Sequence, residues 1–367
     1  MTKDIILVIS GEQGAGGGCW ALRINQIANY INQSVQFQTK VITSPTPIFD
    51  GNLLQQCKGI LVQRPFSPMP WLKNYKELQS KYGYKLSFEC DDAFWNIIPK
   101  YSNASLHPRD WNAMEKIAEE QLKYFDCGIV TTEFLADYLH KHHNFWNTVI
   151  VPNVADKAIY HNDRKNFFRP KPIVVSAGAG QHLMEPLPIS PQTPVGVVAD
   201  RGDYCGEWVE WLRSKVKDID LQYFMGVPYF LDEYREFIQL RPWTYTSLYS
   251  AELNSIRPDI IIAPLKNNDF NRAKSSLKFV EAAACGAVLM GSDFPNGPYE
   301  MIHPLCKVPD EPTVEQLNQV YNNIVNNWKE ILDYQYDFIN KNNWWLQSPA
   351  YIMNWINACS IQTQQLI

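Results

Sequence analysis

The sequence lacks several features that would place it in a specialised class. Its 33 basic residues are outnumbered by 38 acidic ones, which gives a formal net charge of −5 and a pI near 5.8. Proteins that bind nucleic acid or anionic membranes usually carry clustered Lys and Arg, so the overall charge provides no general attraction to either partner. No apolar run approaches the ~20 residues that span a bilayer, and no basic start precedes a long apolar region. We therefore expect a soluble, intracellular protein without integral membrane contact.

The cysteines show no C-x-x-C pair, so the spacing typical of metal ligands is absent. Most of them stand beside apolar runs, as buried reduced thiols do. This distribution indicates a reducing compartment. The eight are Cys19, Cys57, Cys90, Cys127, Cys205, Cys285, Cys306 and Cys359.

Length and composition predict a globular protein of about two domains. The chain has 367 residues, of which 46% are hydrophobic, 19% charged and 13% aromatic. Two domains of this size can each bury a core. No internal repeat or low-complexity segment interrupts the chain.

Short apolar strands alternate with amphipathic helices, a pattern that favours mostly parallel sheets covered by helices on both faces. The alternation pauses between residues 153 and 194, where six prolines follow Pro152, and we place a domain boundary there. The predicted units are 1–171, 172–340 and a C-terminal tail, 341–367, that docks back on the body. The predicted strands are Ile5 to Ile9, Val35 to Ile42, Gly59 to Val62, Lys85 to Phe88, Gly128 to Thr131, Thr148 to Val151, Val195 to Ala199, Leu221 to Met225, Asp259 to Ala263 and Ala287 to Met290.

The segment from Ala263 to Phe294 reads as strand, loop, helix, glycine stop and strand. Its loop lies at the carboxyl end of a parallel strand, where open α/β sheets bind ligands. We expect Lys274, Lys278 and Glu281 to lie along one helix face. Helix-start amides, Lys274, Ser275 and Ser276 would then hold a diphosphate, and Glu281 a ribose diol. A solvated charged face with a Lys–Glu pair is the alternative.

The same segment resembles the donor-binding signature of GT-B-fold glycosyltransferases of the group 1 type, on the pattern F-N-x-A-K-S-x-L-K-x-x-E from Phe270 to Glu281. This resemblance implies that Asn271, Lys274, Ser275 and Lys278 contact the donor and that Glu281 holds its ribose. Many members carry another glutamate eight residues earlier, where this chain has Ala273, so retaining chemistry is not implied. VQRP at Val62, FECDDAFWNIIP at Phe88, VTTEFLADYL at Val130 and VIVPNVAD at Val149 also look like segments of phage and bacterial members.

A glycine-rich loop, GEQGAGGG, follows the first predicted strand. Its glycines allow close approach of backbone to a ligand, as in dinucleotide-binding turns, but their spacing does not match G-x-G-x-x-G of Rossmann dehydrogenases. The resemblance instead places Gly14, Gly16 and Gly17 across the cleft from the donor phosphates, with Arg23 on the helix behind them. A purely structural glycine turn is the alternative.

Asp91 and Asp92 follow a predicted strand, where a carboxylate facing the cleft can take the proton of an acceptor hydroxyl. This region is similar to phage DNA glucosyltransferases, in which an aspartate at a comparable strand end is the base, and Asp91 is preferred. For one of the pair, capping of a turn at Ala93 is the alternative. We expect no metal, because helix termini and basic groups usually stabilise the leaving diphosphate in GT-B enzymes.

Two further residues are candidates for the donor site. Arg201 precedes a predicted helix and can reach a diphosphate with its guanidinium fork, unless it is solvated beside a capping Asp203. His182 can hydrogen-bond the donor. The run from His140 to His143 ends a helix and is interpreted as a solvated positive terminus rather than a metal site.

Together, the pattern and the resemblance predict an α/β protein of GT-B architecture with an inter-domain cleft. The expected function is transfer of a sugar from a nucleotide sugar, UDP first, to a saccharide or glycoconjugate in the cytoplasm, that of the host if the chain is phage-encoded. No cofactor is expected beyond this co-substrate. One alternative is a phage enzyme that glycosylates hydroxymethylated DNA bases, with Phe94 and Trp95 as stacking partners. Another is a non-catalytic nucleotide-binding protein.

Overall fold

The computed structural model describes residues 4–10, 20–34, 37–42, 49–65, 68–93, 111–160, 168–176, 203, 206–224, 229–241 and 246–361. Two six-stranded sheets organise this part of the chain, one in each half of the sequence. Every strand pair in them is parallel. Parallel pairing requires crossover connections, and helices supply them.

The first sheet has the strand order β2-β1-β3-β4-β5-β6. Its central strands are almost fully buried, because crossover helices cover both faces and the strands are accordingly apolar. The strands are β1 Asp4–Ser10, β2 Phe37–Ile42, β3 Cys57–Gln63, β4 Lys85–Cys90, β5 Cys127–Val130 and β6 Thr148–Ile150.

The second sheet has the order β12-β11-β10-β7-β8-β9. Its core includes Trp208 and Trp211, whose rings meet edge to face at a centroid distance of 5.9 Å. The strands are β7 Ile173–Ser176, β8 Asp220–Phe224, β9 Ile238–Arg241, β10 Ile260–Ala263, β11 Val288–Asp293 and β12 Lys307–Pro309.

Local signals set the ends of several helices. Thr132 caps one helix through a bond from Leu135 N at 3.2 Å, and Gly83 and Gly286 end two others with φ of 72° and 74°. The helices are α1 Gln26–Ser34, preceded by a π-helical turn Ala21–Asn25, α2 Gly51–Gln56, α3 Leu72–Tyr82, α4 Trp111–Leu122, α5 Glu133–His143, α6 Gly206–Lys215, α7 Thr246–Ile256, α8 Asp269–Arg272, α9 Leu277–Cys285, α10 Val314–Lys341 and α11 Pro349–Cys359. None of the described helices is long and apolar enough to cross a membrane.

The C-terminal helix α11 returns to the first sheet. Trp355 is fully buried among first-sheet residues such as Ile6 and Ile129. Just before α11, the chain pairs with the segment that leaves the first sheet, since Leu346 N donates to Ala155 O at 2.8 Å and Ala155 N to Trp344 O at 3.2 Å. The two halves are therefore joined by two hydrogen-bonded segments. The division at residues 171 and 172 stays a prediction.

Nine of the ten predicted strands match observed ones to within two residues at most ends, and Val195 to Ala199 lies outside the described residues. The predicted pause in the alternation of strands and helices, between residues 153 and 194, is wrong in one respect, because β7 Ile173–Ser176 lies inside it. Pro170 and Pro172 stand just before this strand, where a missing N–H is tolerated, instead of interrupting it. The short strands β9 and β12 were not predicted.

Candidate functional site

Two acidic residues follow the central strand β4, and a basic residue follows the neighbouring strand β3. Arg64 donates to Asp91 Oδ1 from Nε at 3.1 Å and from a terminal nitrogen at 2.8 Å, and its guanidinium lies 3.9 Å from Asp92 Oδ2. The Asp91 side chain is 8% exposed, whereas the Asp92 side chain is 19% exposed. The adjacent carboxyl ends of two parallel strands thus bring one guanidinium and two carboxylates together, with Asp92 the more accessible acid.

Beneath this cluster lies a buried ion pair. Arg23, from the π-helical turn, donates through Nε to Glu89 Oε1 at 2.7 Å, and both side chains are essentially inaccessible. Burial raises the pKa of Glu89 to about 7, the charge of Arg23 opposes that rise, and Asp91 adds to it. Burial alone would lower the pKa of Arg23, but the Glu89 charge raises it. Arg23 therefore lies on a helical turn with its side chain in the core, and its predicted place behind the glycine-rich loop of the cleft stays a prediction.

The predicted donor segment is not one continuous helix. Asn268 caps the short α8 through a bond from Asn271 N at 2.9 Å, the chain turns, and α9 starts only at Leu277. Lys274 consequently stands in the turn before α9, and the expectation that it shares a helix face with Lys278 and Glu281 is wrong. Its ammonium group lies over the Phe270 ring, 4.3 Å from the centroid.

Asn271 is fully buried and holds the loop after β10 in place. Its amide donates to Asp203 Oδ1 at 2.7 Å and to Lys266 O at 2.8 Å, and Lys266 N donates to the same carboxylate at 3.1 Å. Asn271 thus fixes the loop that precedes the candidate donor site. Its predicted contact with the donor stays a prediction.

Lys278 and Glu281 form a compact group with Tyr249 of α7. Glu281 Oε2 accepts from Lys278 Nζ at 2.7 Å and from the Tyr249 hydroxyl at 3.1 Å, and Lys278 also donates to that hydroxyl at 2.9 Å. Burial and the Glu281 charge raise the pKa of Tyr249, so it stays a neutral donor. Glu281 Oε1 is buried and makes no hydrogen bond within the described residues. One carboxylate oxygen therefore keeps unused acceptor capacity among the described residues.

The turn between α8 and α9 touches the first domain at three consecutive residues. Ala273 is fully buried in a first-domain apolar cluster, and its carbonyl accepts from the Thr132 hydroxyl at 3.4 Å. Lys274 Nζ lies 3.8 Å from Asp92 Oδ1. Ser275 Oγ accepts from Asn153 Nδ2 at 2.6 Å. The candidate donor and acid residues of the two halves thus meet in one place.

Several candidates lie outside the described residues: Gly14, Gly16, Gly17, Phe94, Trp95, His182 and Arg201, as well as Cys19 and Cys205. The remaining six cysteines are all buried, and none forms a disulfide with another described cysteine. Asp203 is buried and binds the loop described above. Within the described part of the chain, no three His, Cys, Asp or Glu side chains are grouped to hold a metal ion.

Sequence reasoning missed three residues of this region, Arg64, Asn153 and Tyr249. Arg64 stands within the VQRP segment, two residues after the end of a predicted strand that neighbours the one before Asp91. Polar residues after adjacent parallel strands share a sheet edge, so this position carried a usable signal. Asn153 stands in the VIVPNVAD segment, shortly after a predicted strand, so it too carried a signal. Tyr249 meets its partners only through contacts distant in sequence, and no local pattern marks it.

No family model matches the sequence, and no curated protein matches it. Among solved structures, Anabaena Alr3699/HepE in complex with UDP and glucose aligns with a TM-score of 0.53 and 12% identity, over 94% of this chain and 96% of that one. An α-glucosyltransferase in complex with UDP and a 13-mer DNA aligns with a TM-score of 0.54 and 10% identity, over 92% and 95%. The chain spans only 56% of the matched chain of the GtfA/B complex, at a TM-score of 0.46 and 15% identity over 81% of its own length. Two parallel-sheet domains and the first two of these alignments identify the fold of the chain as GT-B, two Rossmann-like domains in tandem.

Proposed function

We propose that this protein is a glycosyltransferase that moves a sugar from a nucleotide sugar to an acceptor hydroxyl. One observation carries the proposal: Lys274, the candidate ligand of the donor diphosphate, lies 3.8 Å from Asp92, a candidate base. In a direct displacement the leaving diphosphate and the attacking hydroxyl are both bonded or nearly bonded to the anomeric carbon. The protein group that binds the diphosphate and the one that takes the hydroxyl proton must therefore lie close to each other. Lys274 and Asp92 do so, one from each half of the chain.

The second-domain residues suit a nucleoside diphosphate. The buried oxygen Glu281 Oε1 can accept from a ribose hydroxyl, and a buried acceptor without a partner is costly until a donor reaches it. Lys274 and the Ser275 hydroxyl can donate to phosphate oxygens. Two structures of the same fold were solved with UDP, which supports a UDP-sugar as the first donor to test.

The proposed reaction needs a base, and the geometry favours Asp92 over the Asp91 preferred from sequence. Asp91 Oδ1 already accepts two hydrogen bonds from Arg64 and its side chain is only 8% exposed. The Asp92 side chain is 19% exposed and faces Lys274 of the candidate donor site at 3.8 Å, so an acceptor hydroxyl can reach it more easily. In the reaction the acceptor oxygen forms a bond to the anomeric carbon and its proton passes to Asp92. The bond from that carbon to the diphosphate oxygen breaks, and the diphosphate leaves with the electron pair near Lys274.

A thermal-shift panel tests the donor side of the proposal. UDP-, GDP-, dTDP- and CMP-sugars are compared on the wild type, on Glu281→Ala and on Glu233→Ala, whose side chain is exposed on the surface. A ligand that binds only the folded protein raises its melting temperature. We expect one nucleotide class to stabilise the wild type and the Glu233 variant but not the Glu281 variant. No shift with any sugar nucleotide would contradict the proposal and favour another function for the cleft.

Transfer of labelled sugar tests the base. Asp92→Asn should lower kcat by about 100-fold or more, the usual contribution of general base catalysis, while donor affinity is kept. Asp91→Asn should lower it less. The reverse order would return the role to Asp91. Donor binding without transfer to any acceptor, in every variant and in the wild type, would instead identify a non-catalytic nucleotide-binding protein.

The acceptor is proposed to be a saccharide or glycoconjugate, because the net charge of −5 gives no general attraction to DNA. One structure of the same fold was solved with DNA, so an oligonucleotide with hydroxymethylated bases belongs in the acceptor panel. Acceptor binding that weakens steeply with salt would favour DNA, whereas indifference to salt would favour a saccharide.

A further inference from the structure

A chain of four polar side chains runs from the core of the first domain to the candidate donor site of the second. Glu89 binds Arg23 at 2.7 Å, Arg23 donates to Asn153 Oδ1 at 3.2 Å, and Asn153 Nδ2 donates to Ser275 Oγ at 2.6 Å. The first three side chains are at most 5% exposed. We call this series of hydrogen-bonded side chains, Glu89, Arg23, Asn153 and Ser275, the polar relay. Its last link crosses from one domain to the other.

Arg23 has one fixed place at the start of the relay. Its NH1 nitrogen also donates to Val151 O at 2.7 Å and Pro152 O at 3.1 Å, while Nε is held by Glu89. A guanidinium is planar and rigid, so bonds on two of its edges determine its orientation. The nitrogen that faces Asn153 is therefore a fixed donor.

The fixed donor determines which way the Asn153 amide points. Arginine carries no acceptor, so the amide atom that faces it must be the carbonyl oxygen. The amide nitrogen must then face Ser275, and flipping would place two donors together at Arg23. Asn153 is thus held as a donor to Ser275.

Ser275 is the only partly accessible member of the relay, and its hydroxyl has one proton. Because its oxygen accepts from Asn153, that proton is directed away from Asn153 and is available to another acceptor. We propose that Asn153 is a positioning residue that orients the Ser275 hydroxyl to donate to a phosphate oxygen of a nucleoside diphosphate. This inference rests on the proposed function and adds to it a first-domain residue that acts on donor binding through Ser275.

The test uses Asn153→Asp, which is nearly isosteric. A carboxylate at position 153 keeps an acceptor toward Arg23, so the fold and melting temperature should be retained. It can no longer donate to Ser275, whose proton it captures, and it adds negative charge near the diphosphate. We expect the Kd for UDP, or for the nucleoside diphosphate that stabilises the wild type, to rise about tenfold or more, the loss typical of a hydrogen bond to a charged group.

A double-mutant cycle on the same Kd tests the route of the effect. Ser275→Ala and Asn153→Ala should each weaken binding about tenfold, and the double variant should be no weaker than Ser275→Ala alone. Asn322→Ala, on an exposed position of α10, is the matched control and should bind as the wild type does. If Asn153 only supports the fold, Asn153→Ala should lower the melting temperature, and its effect on Kd should add to that of Ser275→Ala.

The outcomes separate the two proposals. A wild type that binds none of UDP, GDP, dTDP or CDP overturns the proposed function and the inference together. A wild type that binds, with Asn153→Asp unchanged in Kd or with fully additive alanine variants, overturns only the inference. Retained melting temperature with coupled loss of binding supports both.

Discussion

Arg64 has a backbone conformation that is rare for its residue type, with φ of 50° at the end of β3. Such a conformation costs roughly 1 kcal/mol or more and persists where surrounding contacts compensate. Here the Arg64 N–H donates to Glu89 O at 2.8 Å, and its guanidinium binds Asp91. This backbone conformation directs the Arg64 side chain, just after β3, toward Asp91 and Asp92, which follow β4.

Glu89 gives the folded protein a pH dependence whose sign can be stated. Burial raises its pKa to about 7, above the ordinary value of about 4.3 expected in the unfolded chain. Between these values the folded state binds more protons, so the free energy of unfolding falls as pH rises through this window. We expect the melting temperature of the wild type, relative to Glu89→Gln, to fall from about pH 4.5 to about pH 7 and then level off. A difference that does not change with pH would contradict the assignment of this titration to Glu89.

Removal of Arg23 should be costly, because it would leave the Glu89 carboxylate buried without its counter-charge. Arg23→Met is expected to destabilise the fold by about 3 kcal/mol, as breaking a buried pair from one side does. Chemical denaturation monitored by tryptophan fluorescence measures this loss. Arg213→Met, at a surface ion pair with Glu210, is the control and should change stability little. Equal effects of the two variants would argue against a structural role for Arg23.

At the scale of elements, the contact between β3 and the end of α11 is unusually close. A Cβ atom at Gly59 would lie 1.9 Å from the Cys359 carbonyl oxygen, so glycine is required there. Further bonds fasten the same helix end, from Ser87 Oγ to Ala358 O at 2.9 Å and from Ile361 N to Lys58 O at 3.1 Å. The docking of the C-terminal segment depends on this absence of a side chain.

Gly59→Ala should therefore displace α11 and destabilise the protein by about 2 kcal/mol, a typical cost of overpacking. Thermal unfolding measures the effect, and faster hydrogen exchange in residues 349–359 should accompany it. Gly51→Ala is a suitable control, since a Cβ there meets only the movable end of the Tyr82 side chain at 3.1 Å. Unchanged exchange in α11 with an unchanged melting temperature would show that the helix end yields without cost.

Elements were predictable where the sequence carried a long periodic signal. Strand β1 is apolar from Ile5 to Ile9 and β10 is apolar throughout, and glycine stops such as Gly286 mark helix ends. The turn at Lys274 was not predictable in this way, because the spacing of Lys274, Lys278 and Glu281 by four and three residues is that of one continuous helix. The competing Asn268 cap and the contacts of Ala273 with the first domain decide its structure, and both act beyond the local pattern.

At the scale of the whole molecule, the cleft contacts join residues far apart in sequence. Asp92 meets Lys274, and Asn153 meets Ser275, only once both domains have folded and faced each other. Residue type and strand-end position marked Asp91 and Asp92 as candidates, and their role stays a prediction. They could not predict their partners, because pairing depends on the relative placement of two separately folded sheets.

Ala273 offers a test of this domain contact. Ala273→Glu would place a carboxylate inside the apolar cluster of the first domain, where burial of an unpaired charge is strongly unfavourable. We expect the contact to separate, with a larger radius of gyration in solution scattering and a lower melting temperature. Asn322→Glu adds the same charge on exposed surface and should change neither. An unchanged radius in the Ala273 variant would show that this contact does not hold the domains together.

The paired segments around Ala155 and Trp345 have a mechanical consequence. Two strands of chain that cross between the halves side by side behave as a strip, which bends readily about one line and resists twisting and sliding. We therefore expect relative motion of the two domains to be mainly opening and closing about that strip. The turn that carries Lys274 and Ser275 would then approach and leave the first domain along a repeatable path, so each closure restores the same alignment of the cleft.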